Sequence, residues 1–165
     1  MMSDLLTSLP PGALMILAAI PLVLVPHHAR QVVMLLAIAG SAFSLTAGAG
    51  QHLNIEMLGF EMSLYRADHL SLPFAIVFHI AAALNIFYGW HEHKATDHVA
   101  GLSYAGAAIA ALHAGDLVTL FIWWEATAVT SVFLILASGT QRARRAAMRY
   151  LIVQVASGVL LLAGA

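Results

Sequence analysis

DLVTLFIWWEATAVTSVFLILAS, residues 116–138, is an apolar run as long as a membrane crossing, with Asp116 at its start and one acid, Glu125, in its interior. Glu125 falls about nine residues past Asp116, which at ~1.5 Å rise per residue sets it roughly 13 Å deep, near a bilayer midplane. An ionisable side chain at that depth costs on the order of 2.5–3.5 kcal/mol even on the lenient insertion scales, and it must face protein or water. A lone mid-membrane carboxylate is a poor structural device. It is a good titratable one, and the expectation is that Glu125 handles protons.

The surrounding composition agrees with a membrane setting. Of 165 residues, 61% are hydrophobic and 9% charged, and the mean hydropathy is +0.88, well outside the balance of soluble domains. The chain reads as an all-α polytopic membrane protein. With no Cys it has no disulfide framework, no thiolate metal site and no cysteine nucleophile. The net charge of −1 leaves no basic stripe for nucleic acid. The opening MMSDLLTSLPPG carries Asp4 and neither Lys nor Arg, so it lacks the basic region of a signal peptide, and the first apolar run is expected to stay as a helix.

Worked outward from 116–138, the sequence predicts about six transmembrane helices in one membrane domain, 1–165. Their ranges are about 10–26, 31–47, 69–90, 99–115, 116–138 and 146–165. Pro10 and Pro11 suit a helix start, and Pro21 predicts a kink. The fourth helix, rich in Gly and Ala (GLSYAGAAIAALHAG), predicts close burial among its neighbours. Residues 48–68 mix polar and apolar positions in NIEMLGFEMSLYRAD, which suits a short extramembrane hairpin better than a span.

Arg30, Lys94 and the group Arg142, Arg144, Arg145, with Arg149 just beyond, fall in or near the odd-numbered connections, whereas Arg66 alone lies on the other side. The positive-inside rule then puts those connections in the cytoplasm and both termini and the hairpin outside. The close LLLAGA has no basic flank and no aromatic anchor, which leads to the expectation that further helices continue it, in the same chain or in a partner.

The helical face around Glu125 carries Val118, Phe121, Ile122, Ala128, Val129 and Val132, so the acid has no local partner. Thr127, Thr130, Ser131 and Ser138 fall on the opposite face, where ordinary helix packing explains them. His79 sits near the midplane of the third helix and His113 near the outer end of the fourth. Either can relay a proton near neutral pH, though a hydrogen-bonded helix residue is the blander account. Asn85 and Gln154 are candidates for holding water. A haem-binding cytochrome needs facing axial ligands from two helices, but His79 and His113 differ in depth, so no cofactor is expected. The run HEHKATDH matches no specific metal spacing, and its solvated-surface reading is preferred.

Three segments carry a family resemblance. Arg66-Ala-Asp68-His-Leu-Ser71, Asp116-Leu-Val-Thr-Leu-Phe-Ile-Trp-Trp-Glu125, and Arg145-Ala-Ala-Met-Arg149-Tyr150 with Gln154 and Ser157-Gly158 resemble the antiporter-like subunits of proton-pumping NADH:quinone oxidoreductase (complex I) and of the multisubunit Mrp-type cation/proton antiporters, the antiporter D subunit most of all. The resemblance implies that Glu125 matches the family's functional helix 5 glutamate, with Asp68, Arg149 and Gln154 in supporting positions. It also implies a fold of about fourteen helices built from two inverted five-helix repeats, a lysine on a broken seventh helix that tunes the glutamate, and residence in the bacterial inner membrane. This sequence covers only the first six helices and lacks that lysine. The expectation is thus the N-terminal part of a proton-translocating subunit with no catalytic site of its own, in the lipid bilayer. Its implied partners are other membrane subunits, including a chain supplying the later helices, and its implied ions are protons, with sodium as a candidate counter-ion. The rival is a membrane scaffold that conducts nothing itself.

Overall fold

A computed structural model describes residues 10–47, 52–57 and 59–164. The stretch with Asp4, the start of the excursion at Gly48 and the last residue, Ala165, lie outside the described residues. Within them the chain forms six α-helices and one hairpin: α1 Pro11–Ala19, α2 His27–Ala47, β1 His52–Met57, β2 Phe60–Arg66, α3 Ser71–Tyr88, α4 Ala95–Leu112, α5 Leu117–Leu136 and α6 Gln141–Ala163. Pro11 opens α1, where its missing N–H is one of the helix's orphan donors anyway. At Pro21 the chain tightens into a 3₁₀ turn, Ile20–Val23, because the ring removes a donor and crowds the preceding turn.

Four helices are long and apolar enough to cross a membrane by themselves: His27–Thr46, Ser71–Tyr88, Leu117–Leu136 and Gln141–Ala163. The remaining two are the inner ones. Helix α4 packs on α1, α3 and α5, so its surface meets protein and is built from small residues instead of large apolar ones. Here two glycines bring backbones together. A Cβ on Gly106 would lie 2.6 Å from the Gly12 carbonyl and 2.9 Å from Ile16 Cγ1, and one on Gly12 would overlap the Gly106 carbonyl. Around this crossing Met15, Ala19, Leu22, Met34, Ile38, Ala82, Ile86, Leu102 and Ile109 form the buried core. In lipid such packing rests on van der Waals contact and interhelical hydrogen bonds, because burial from hydrocarbon into protein gains little.

The connections gather at two ends. At one end Arg30 donates from Nε to the Leu22 and Val25 carbonyls and from Nη1 to His93 O (3.0 Å), and Lys94 Nζ caps α5 at Ala137 O (2.8 Å). At the other end sits the antiparallel hairpin, paired from His52↔Arg66 to Met57↔Phe60 with an irregularity at Leu53/Asn54 and Gly59 in its turn at φ +79°. Its free edge is occupied: Gly115 N–H donates to Ser63 O (2.9 Å) and Arg66 N–H to His113 O (2.8 Å), which ties β2 to the α4–α5 turn.

Candidate functional site: the α5 carboxylate

Helix α5 starts on a cap that also clamps the hairpin. Asp116 accepts the Thr119 N–H (2.8 Å) and hydroxyl (2.7 Å) and, from across the fold, the Ser63 N–H (2.7 Å). Burial pushes the Asp116 carboxyl up, but the Thr119 and Ser63 donors together hold it below the usual carboxylate range. From this anchor α5 runs down to Lys94 at its far end, with α6 antiparallel beside it. The two helices are pinned by the Ser131 and Tyr150 hydroxyls at 2.9 Å. Thr127, Thr130 and Ser131 also bond carbonyls one turn back, at Trp124, Ala126 and Ala128, as hydroxyls in apolar helices do.

Glu125 lies in this α5–α6 seam. Its side chain is half-buried, and Oε1 is fully buried with no hydrogen-bond partner among the described residues. The oxygen occupies a notch on α6: a methyl group built on Gly158 would overlap Oε1 and sit 3.1 Å from Phe121 Cε2. Ala147 and Gly158 are the buried positions of α6, and Gln154 lies one turn before Gly158 on the same face, half-buried. An unmade hydrogen bond at a buried oxygen is costly unless function or a further partner uses it.

The other residues singled out from sequence are elsewhere. His79, 5% exposed, donates from Nδ1 to Ala75 O (2.7 Å), and its Nε2 meets Ser41 Oγ at 2.9 Å, while Ser41 lies 2.7 Å from the Pro11 carbonyl. It thus ties α3 to α2 and α1 and bonds to neither Glu125 nor His113. His113 caps α4, donates from Nδ1 to Ile109 O (2.8 Å), and packs its ring 5.3 Å from that of Tyr65. Asp68 shares a cavity of about 120 Å³ with His113, Ser71 and Tyr65 at the hairpin end. There it accepts the Ser71 N–H (2.7 Å) while Ser71 Oγ accepts the Asp68 N–H (3.1 Å), a reciprocal cap on α3. The Ser71 N–H and hydroxyl, then the Leu70 N–H and Arg66, hold its carboxyl below the usual range. Arg149 is exposed and makes no ion pair among the described residues. In HEHKATDH, Glu92 accepts the His93 and Lys94 N–H groups and His98 Nε2 bonds Glu92 O, so the run is spent on loop structure. Among the described residues no group of three or more His, Asp or Glu is placed to hold a metal.

The elements that hold this site are those that match known proteins. Residues 114–165, which contain α5, α6, Glu125 and Gly158, match the family model described as "NADH:quinone oxidoreductase/Mrp antiporter, TM". Over this segment the chain is similar to the antiporter-like membrane subunits of that family. A relative, the NAD(P)H-quinone oxidoreductase chain 4-2 of Synechocystis sp. (strain ATCC 27184 / PCC 6803 / Kazusa), is 31% identical over 104 residues. The aligned region is 59% of this chain and 18% of that protein, so the chain spans under a fifth of the length of this relative. The sequence pattern showed the solitary acid in the interior of an apolar helix. Gly158 stood among the residues of the family resemblance and Ser41 among the small residues of an apolar run, but their contacts with Glu125 and His79 were not foreseen from the sequence.

Proposed function

We propose that this chain is part of a proton-translocating, antiporter-like subunit and that Glu125 is the group in it that carries the proton. The observation that supports the reading is the buried Oε1 of Glu125, without a hydrogen-bond partner among the described residues, in a helix long and apolar enough to span a membrane, inside the segment that matches the family model. The chain works within a larger membrane complex whose other subunits, or a further chain, bring the polar partner that Glu125 lacks. Of the candidate relay histidines, His113 belongs to the hairpin-side cavity with Asp68 and His79 holds the packing of α3 against α2 and α1; of the supporting residues, Gln154 lies one turn before Gly158 on α6 and Arg149 is exposed on the same helix.

We assign both termini and the hairpin to the outside of a bacterial inner membrane. The support is that Arg30 in the first turn of α2, Lys94 before α4, and Arg142, Arg144 and Arg145 at the start of α6 lie at the same end of the bundle, opposite the hairpin. The decisive substitution is Glu125→Gln, which keeps size and hydrogen bonding but removes titration. The complex should assemble at normal yield while proton-coupled transport in membrane vesicles falls at least tenfold. Full transport at normal yield would end the proton-carrier reading and leave the chain a scaffold.

A further inference from the structure

We infer that Gly158 is the positioning residue of the α5 carboxylate: its missing side chain is the space in which Glu125 Oε1 is held. The ordinary explanation for a glycine in a membrane helix is close backbone approach, and this structure contains that case for comparison. At Gly12 and Gly106 the atoms nearest a built Cβ include the backbone carbonyl of the other helix. At Gly158 the three nearest atoms all belong to side chains, Glu125 Oε1, Glu125 Cδ at 3.2 Å and Phe121 Cε2 at 3.1 Å. What a side chain at Gly158 meets first is therefore the carboxylate and not the backbone of α5. The glycine lets the carboxylate in.

The consequence for substitution differs from that at the crossing. A methyl at Gly158 meets the end of a flexible side chain, which can rotate away at small cost, so Gly158→Ala leaves the helix pair intact and expels the carboxylate. Shortening the acid by one methylene draws the carboxylate back by about 1.5 Å, and the added methyl then has room. The inference rests on Glu125 as the proton-carrying group, but its test is separate from the test of that reading.

The experiment is a double-mutant cycle in the assembled complex: wild type, Gly158→Ala, Glu125→Asp and the pair, with Gly158→Ala/Glu125→Ala as a packing control. Complex yield and vesicle pH changes, followed with acridine orange on addition of NADH or sodium chloride, are read together. Gly158→Ala should assemble normally and lose at least tenfold in transport. Glu125→Asp should keep partial activity, and the pair should transport as well as Glu125→Asp alone, so that the alanine becomes harmless once the acid is shorter. Wild-type transport in Gly158→Ala, or a pair that shows the product of the two single losses, overturns the inference. A yield loss in Gly158→Ala that persists in Gly158→Ala/Glu125→Ala overturns it as well, because the methyl then clashes with the helix and not with the carboxylate. A yield loss relieved by Glu125→Asp supports it. Failure of the proton-carrier reading shows instead as full transport in Glu125→Gln.

Discussion

Removing the Asp116 carboxylate should loosen the hairpin and the start of α5 together, because one side chain serves both. Asp116→Ala deletes an N-cap, worth about 1 kcal/mol, and leaves the Ser63 N–H without its charged acceptor, worth about 1.5–3 kcal/mol for a bond to a charged group. The site is half-exposed, so water recovers part of the second term, and the sum is about 2–3 kcal/mol. For a chain of this length that lowers the melting midpoint by about 5–10 °C. Thermal unfolding of the purified complex in detergent reads the midpoint, and limited proteolysis between β2 and α3 reads the hairpin. Acidification gives a second test of the same contact. The folded Asp116 carboxyl lies below its ordinary value, so its stabilisation is present above about pH 4 and is lost as pH falls through the folded value. Wild type should lose hairpin protection over that acidic window, and Asp116→Asn should lose little. An unchanged midpoint and unchanged cleavage in Asp116→Ala would refute the clamp.

Gly106→Leu, which drives a side chain into the Gly12 carbonyl and Ile16, should cut complex yield several-fold while transport per assembled complex stays near wild type, measured by immunoblot against vesicle assay. Topology is readable without background because the chain has no native Cys. Single cysteines beside Arg30, Lys94 and Arg142 should resist an impermeant maleimide in intact cells and one at Glu56 should react, and a protected Glu56 site would reverse the orientation.

Much of the architecture was legible along the chain because its signals are local. Apolar runs of span length, Pro11 and Pro21, the alternation in NIEMLGFEMSLYRAD and the solitary Glu125 each depend on neighbours a few residues apart, and hairpin, 3₁₀ break and helices appeared where those signals lay. The Gly/Ala character of α4 likewise foretold its place among other helices. What each helix faces was another matter. In a soluble helix a polar side marks the solvent and the opposite side the core, but α5 and the part of α6 after Tyr150 are mostly apolar on every side, and an apolar residue suits lipid as well as a neighbouring helix. The sequence by itself therefore determined that one acid stands in the interior of an apolar, span-length helix. Only the tertiary structure decided that its oxygen rests at Gly158, that His79 turns to Ser41 across 38 residues of chain, and that Asp116 reaches Ser63 across 53. Those pairings depend on which helix lies beside which, and on bonds too specific for periodicity to encode.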